Sequence, residues 1–385
     1  MRSVMRKLCL TTCLALAFLG AGCIRTGQED EGRRPAPEQG PPSLGEVAKI
    51  LAELPLQEEH LQEVHDAVGA SSGNGYDEEY MMSDLFSNPG AGVGSGGRAT
   101  RTGAYSSPLR DLFEDYFKEH CGTRAGGTDD VSAYIDALKF SDMQIYWPYS
   151  EDWDGGFPIV TFDPGYGAES NVGYEISVAP DGSRSITEVI VDEAVAASRP
   201  VWVINNNDDS AFTPLDLITA KAGESTVHEG RSLMLKSFTM LRNYDSWFGG
   251  ASEFFVKCGS ASGFKATTDS DLKLYTPSVT DFMVVVRRGE LKKDVTMDTI
   301  LVSEFTDEID KVAFLVIEDD GGETTSWKCS ATVKYMSKSY GFDIEIPYKD
   351  KDDVVWRGQL SGDFFRTGTP VTGRFGDVKI TFALE

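Results

Sequence analysis

Short acidic runs are the residues of this chain with the clearest chemical potential, because they stand at the ends of predicted β-strands. Two such runs lie at 318–320 and 350–353. Oxygen ligands on loops suit Ca²⁺, which takes about six to eight of them. The predicted calcium ligands are Asp319, Asp320, Asp350, Asp352 and Asp353. Neither run has the complete EF-hand register, and the alternative is that the acidic turns only solvate strand ends.

Aromatic side chains form a second candidate site. Trp147, Tyr149 and Trp153 lie close together in the sequence, around Pro148 at a predicted strand end. Rigid aromatic faces stack on sugars or anchor a protein partner. We therefore expect an exposed aromatic platform formed by these three residues, and packing in the core is the alternative.

Histidine and motif patterns argue against several kinds of catalysis. His60 and His65 are five positions apart, which misses the spacing that lets two imidazoles on one helix share zinc, so we expect both to be solvated. The G-x-S-x-G string at 69–73 and the G-x-G-x-x-G string at 92–97 lack the preceding strand and following helix that their chemistry requires. Ser262 and Lys265 match an acylating Ser-x-x-Lys without its companion motifs.

The sequence therefore predicts no catalytic residue and favours a non-catalytic role. Aspartate and glutamate are the only abundant acid–base groups, with 61 of them against four histidines. The alternative is a surface hydrolase that cleaves glycan or peptide through paired carboxylates.

The first 22 residues have the charge, length and order of a secretory signal peptide. Three basic residues precede an apolar run from 8 to 19, which is shorter than the roughly 20 residues of a transmembrane helix. The segment at 19–23 resembles the lipobox of bacterial lipoproteins, and Cys23 is the predicted lipidation site. Gly20 stands where the lipobox usually has an aliphatic residue, so a plain secreted product is the alternative. Residues 23–43, rich in Pro and charge, predict an extended tether.

Cysteine usage is compatible with one disulfide. After processing, the chain keeps Cys121, Cys258 and Cys329 besides the predicted lipidation site. An oxidising compartment permits a bridge, and the strand-like surroundings of Cys258 and Cys329 favour this pair. Three free thiols are the alternative.

The charge balance limits the partners. The formal net charge is −25, with 36 basic residues in 385. Such an excess of acid argues against nucleic acid, whose affinity comes from Lys and Arg on phosphates. The predicted partners are the membrane, through the lipid anchor, and either a glycan or an envelope protein.

Hydrophobic periodicity predicts a mainly β protein with a small N-terminal helical section. Apolar residues recur at helical spacing within 44–125, and this section contains a glycine-rich loop. Short β-branched and aromatic runs follow, without helices long enough for crossovers, which indicates antiparallel pairing. We therefore expect a β-rich domain at 126–280 and an antiparallel β-sandwich domain at 281–385 that loosely resembles C2 domains.

Three segments carry a family resemblance: 143–149, 200–205 and 245–254. They are similar to segments of a group of uncharacterised bacterial cell-envelope lipoproteins. The resemblance implies a lipid-anchored protein of the envelope, and it assigns no activity. We expect the protein at the outer membrane or cell surface rather than at the inner membrane. The predicted function is non-catalytic binding or scaffolding at the envelope.

Overall fold

A computed structural model of the protein describes residues 42–87, 108–121, 128–207 and 231–385. The predicted signal peptide, Cys23, nearly all of the tether and the glycine-rich loop at 90–103 lie outside the described residues, as does the side chain of Cys121. The G-x-G-x-x-G string at 92–97 also lies outside them.

Helices are concentrated at the front of the described chain. Ser43 caps the first helix, as its hydroxyl accepts from the backbone N–H of Glu46 at 3.3 Å and the Glu46 carboxylate accepts from the N–H of Ser43 at 2.8 Å. The main helices are α1 (Leu44–Glu53), α2 (Glu58–Gly73), the short α3 (Met82–Leu85), α4 (Pro108–Cys121) and α5 (Thr128–Lys139). Within these residues, no helix has both the length and the hydrophobicity needed to cross a membrane.

Six strands form a first sheet, sheet A, in the order β1-β2-β6-β3-β4-β5. Its strands are β1 (Glu79–Met81), β2 (Met143–Tyr146), β3 (Ile159–Phe162), β4 (Ser170–Val178), β5 (Arg184–Asp192) and β6 (Val201–Asn206). Among the described strands of this sheet, β3 and β6 alone pair in parallel. Alternate residues of β6 face opposite sides, so Trp202 packs under the helices while Val203 packs with Trp247 and Phe248.

The remaining strands form a two-sheet sandwich. Sheet B has the order β10-β7-β16-β15, and sheet C has the order β13-β12-β11-β8-β9 with β14 also paired to β11. The strands are β7 (Leu233–Met240), β8 (Ser252–Ser260), β9 (Ser278–Val286), β10 (Val295–Val302), β11 (Ile309–Glu318), β12 (Thr324–Tyr335), β13 (Lys338–Lys349), β14 (Asp353–Ser361), β15 (Val371–Phe375) and β16 (Val378–Leu384). Their shared core contains Phe238, Phe254, Phe314 and Phe382.

The predicted fold class is confirmed: the protein is mainly β, with antiparallel sheets in a sandwich-like arrangement and a small N-terminal helical part. The domain boundaries differ from those expected. The predicted boundary at 280/281 falls inside β9, and β7 and β8 before it belong to the sandwich. The helical part also continues past 125, through α5. A strand pattern shows that a strand exists but not which sheet it joins, so the sequence placed β7 and β8 with the wrong neighbours. The loose likeness of 281–385 to C2 domains stays a prediction.

The predicted disulfide is wrong, because Cys258 and Cys329 are both free thiols. Cys258 lies in β8 and packs in the core between sheets B and C. Cys329 lies in β12 and packs against the opposite face of β8 and β11. Two side chains on opposite faces cannot meet the geometry of a disulfide.

Candidate functional site

A polar cleft separates one end of sheet A from the sandwich. It has a volume of about 720 Å³. One wall comes from the residues before β4 and after β5, and the other from the segment that joins β7 to β8. Four acidic residues line it: Glu169, Asp192, Glu193 and Asp245. We call this feature the polar cleft.

The segment between β7 and β8 is fixed firmly against sheet A. The indole Nε1 of Trp247 donates to the backbone oxygen of Glu169 at 2.9 Å. From β6, the Nδ2 of buried Asn205 donates to the backbone oxygens of Phe248 and Gly249 at 3.0 and 2.6 Å. Because Trp247 and Phe248 also pack against the sheet, this wall of the cleft is preformed.

Arg288 is a buried cation in the wall of the cleft, with 6% of its surface exposed. Its Nε donates to the backbone oxygen of Gly250 at 3.0 Å, and its Nη1 lies 3.7 Å from Oε1 of Glu193. The same Glu193 oxygen accepts from the hydroxyl of Tyr149 at 3.3 Å. Burial, together with this carboxylate, raises the pKa of Tyr149 to about 12. The group therefore stays a neutral donor at physiological pH.

Three carboxylates, one of them from Asp245 in the cleft wall, converge and could hold a metal ion. Asp245, Glu253 and Glu318 each place one oxygen within 4.8 Å of the others. Glu318 and Glu253 are buried, with 1% and 4% of their surfaces exposed, while Asp245 also lines the polar cleft. We call these three residues the carboxylate cluster. Burial, and next the neighbouring Asp245, raise the pKa of Glu318 to about 11.

The pairing of sheet C explains why these residues meet. Glu318 is the last residue of β11, where it pairs with Phe254 near the start of antiparallel β8. The next N–H, of Asp319, donates to the backbone oxygen of Glu253 at 2.9 Å. Asp245 comes from the connection between β7 and β8. Two neighbouring strand ends and the turn beside them therefore supply the three carboxylates.

Sequence reasoning missed this cluster, although one signal was present. Val312, Phe314 and Val316 alternate along β11 and face the sandwich core. Glu318 is the next residue in this alternation. A charged residue at an inward-facing strand position is uncommon unless it has a partner or a function.

The structure brings the two predicted calcium runs together, but the carboxylates of Asp319, Asp350 and Asp352 bond to the protein. Lys349 Nζ lies 2.8 and 2.9 Å from the two carboxylate oxygens of Asp319. Asp352 accepts from the backbone N–H groups of Lys349 and Asp320 at 2.7 and 3.3 Å, and Asp350 accepts from that of Glu323 at 2.9 Å. Burial is the main cause that raises the pKa of Asp352 to about 6. These contacts are those of stabilised turns, and calcium binding by the two runs stays a prediction.

The predicted aromatic platform is wrong for Trp147, which is 1% exposed and belongs to the core under the helices. Its ring packs edge-on against Trp153 and Trp202, at centroid distances of 5.4 and 5.7 Å. Trp153 and Tyr149 are half-buried and line a small cavity of about 90 Å³. The core-packing alternative therefore describes Trp147, because helix α2 covers the end of β2.

Helix α2 also buries polar residues that the sequence placed in solvent. His60 is 4% exposed, and its Nδ1 accepts from the backbone N–H of Gln57 at 2.9 Å, so the expectation of a solvated ring is wrong. Glu63 is 5% exposed and accepts from the Tyr80 hydroxyl at 2.9 Å and from the Leu109 N–H at 2.8 Å. Burial raises the pKa of Glu63 to about 7. Leu109 is 46 positions from Glu63 in the chain, so no local pattern reveals that contact.

Comparison of the chain with models of known protein families, with curated proteins and with solved structures finds no match.

Proposed function

We propose that the protein is a lipid-anchored binding protein of the bacterial cell envelope, at the outer membrane or cell surface. The signal peptide at 1–22 and the lipobox-like segment ending at Cys23 support the location. The likeness to uncharacterised envelope lipoproteins supports it too. The extended tether would let the folded part reach ligands in the surrounding envelope.

The polar cleft is the proposed ligand site, and its size and chemistry carry the proposal. Its volume of about 720 Å³ falls within the range of small-ligand sites, roughly 300 to 1,000 Å³. Carboxylate oxygens and the side chain of Asn243 line it, and these groups accept hydrogen bonds from hydroxyls. Its preformed wall reduces the entropy lost on binding. We therefore propose an envelope glycan as the ligand.

Non-catalytic binding is favoured over hydrolysis by the accessibility of the carboxyl groups. A carboxylate hydrolase needs two such groups at the scissile bond, about 5 to 10 Å apart. In the carboxylate cluster, Asp245 lines the cleft, but Glu318 is 1% exposed. A substrate in the cleft would reach only Asp245 of this pair. Two of the other acids there are held by the protein, since Asp192 accepts from the backbone N–H of Val195 and Glu193 accepts from the hydroxyl of Tyr149.

A bulky side chain placed in the cleft tests this proposal. Ala194 is exposed and lines the cleft. Because a bulky ring there would fill the cleft, Ala194→Trp should weaken the affinity for immobilised envelope polysaccharide or peptidoglycan fragments by at least about tenfold. Ala179 is equally exposed but lies in the turn between β4 and β5, away from the cleft. Ala179→Trp should bind like the wild type. Equal retention by the two variants would disprove the cleft as the glycan site.

A further inference from the structure

We propose that the carboxylate cluster of Asp245, Glu253 and Glu318 is a calcium-binding site. The three residues come from separate parts of the chain, and each offers one oxygen within 4.8 Å of the other two. Two oxygens on opposite sides of one Ca²⁺ are about 5 Å apart, from bonds of 2.3 to 2.6 Å. The three oxygens are therefore close enough to share one ion.

Unpartnered buried oxygens are the second observation. Oε1 of Glu318 and Oδ2 of Asp245 are both inaccessible to solvent, and neither has an N–H or hydroxyl donor among the described residues, where the two carboxyl groups face each other. The Glu318 side chain as a whole is 1% exposed. Buried acceptors almost always have a donor or a cation, since leaving one unsatisfied destabilises the folded state, and more so when the group is charged. A bound cation would satisfy both oxygens at once.

No protein cation serves this purpose in the part of the chain that the structure describes. The ion pairs of those residues include neither Asp245 nor Glu318. Arg288 is close, but it donates to the backbone oxygen of Asp245 rather than to the carboxylate. Asp319, next to Glu318, has Lys349 as its partner instead. Lys349 therefore neutralises Asp319, whereas the neighbouring Glu318 faces two further acids.

Calcium fits the site better than magnesium or a transition metal. All three side chains are carboxylates, and hard oxygen ligands exclude metals that prefer sulfur or imidazole. Mg²⁺ keeps most of its water shell and is usually held by only one or two carboxylates. Asp320 and Asp353 add negative charge nearby, and both raise the pKa of the Glu318 carboxyl by electrostatic repulsion. Asp245 lines the polar cleft, which gives an ion and its remaining waters a path from solvent.

Calorimetric titration of the purified protein with CaCl₂, after treatment with chelator, tests the site directly. We expect one Ca²⁺ per chain and a melting temperature that rises with Ca²⁺ concentration. Glu318→Gln should weaken binding by at least about tenfold and remove the calcium-dependent shift, since it withdraws one charged ligand. Without calcium this variant should melt higher than the wild type, because glutamine is neutral and avoids the cost of protonating a buried carboxyl group beside two other acids.

Two control variants separate this site from the acidic turns. Asp343 is an exposed acid on β13, so Asp343→Asn should bind calcium like the wild type. Asp350 belongs to the turn that accepts the N–H of Glu323, and Asp350→Asn should also keep its binding. If Glu318→Gln does not fold, Asp245→Asn replaces it, because Asp245 is only partly buried and tolerates the change more easily.

Three results would overturn the proposal. The first is a wild type that shows neither heat of binding nor a shift in melting temperature up to millimolar Ca²⁺. The second is calcium binding that is unchanged in Glu318→Gln or Asp245→Asn. The third is calcium binding that is lost only in Asp350→Asn. The titration contains no glycan, so its outcome is independent of glycan binding in the polar cleft.

Discussion

Glu46 and Glu63 are glutamates on neighbouring helices whose surroundings move their pKa values in opposite directions. Glu46 lies near the start of α1, where hydrogen bonds from Ser43 lower the pKa of its carboxyl. Glu63 lies on the buried face of α2, where desolvation outweighs two hydrogen bonds and raises the pKa to about 7. The same residue type therefore loses its proton more easily at the helix end and keeps it more easily in the interior.

Replacing Glu63 should change how stability depends on pH. The pKa rises from 4.5 to about 7 on folding, so the folded state binds the extra proton between these values. The stabilisation is complete below pH 4.5 and is lost as pH rises through 7, by roughly 3 kcal/mol in the free energy of unfolding. Glu63→Gln should remove this loss, which urea unfolding at several pH values would measure.

Glu46→Gln is the matched control for this experiment. Because the pKa of Glu46 is lowered, its contribution is present above the unfolded pKa and is lost as pH falls. The substitution should therefore change the pH dependence of the free energy of unfolding in the direction opposite to that of Glu63→Gln. If the free energies of unfolding of the wild type and Glu63→Gln vary with pH in parallel, Glu63 does not bind the extra proton on folding.

At the scale of elements, helix α2 and the end of β2 are held together by aromatic packing. Trp147 follows β2 directly and contacts the rings of Trp153 and Trp202. From α2, the ring of His65 lies 5.7 Å from that of Trp147 and 5.0 Å from that of Trp153. The aromatic residues that the sequence suggested as a binding surface therefore join a helix to a sheet.

Trp147→Ala should destabilise the protein far more than Trp153→Ala. Trp147 is 1% exposed, and truncating a buried Trp costs about 3 to 5 kcal/mol. Trp153 is half-buried, so its truncation should cost about 1 to 2 kcal/mol. Chemical denaturation of the two variants beside the wild type measures both values. Equal losses would mean that the two rings share the same burial in solution.

At the scale of the whole molecule, the proposed lipid anchor decides where the folded part acts. One acyl chain binds a membrane only marginally, whereas two or more hold a protein stably. A lipidated Cys23 would carry the anchor, and the tether would separate it from the sheets and helices.

Cys23→Ser tests the anchor. Without the thiol the chain cannot be acylated, so the variant should move from the membrane fraction to the soluble fraction, and from the detergent phase to the aqueous phase in partitioning. Mass spectrometry of the wild-type N-terminus should show an acylated cysteine. A variant that stays in the membrane fraction would contradict the lipoprotein proposal.

The sequence by itself determined the local structure of this protein. Ser43 and Glu46 specify the start of α1, and the apolar spacing after them specifies its buried face. The alternation of Val312, Phe314 and Val316 specifies a strand with a core-facing side. These features depend on residues a few positions apart, and helical or strand periodicity is visible at that distance.

Only the tertiary structure decided which distant residues meet. Glu318 reaches Glu253 and Asp245 because β11 pairs with β8 in one register, and a slip of one residue would turn its side chain to the other face. Glu63 became buried because α4 begins beside α2. Trp147 belongs to the hydrophobic core because helix α2 covers it. Each outcome depends on pairing or packing between segments far apart in the chain, and the pattern within a single segment carries no information about its partner.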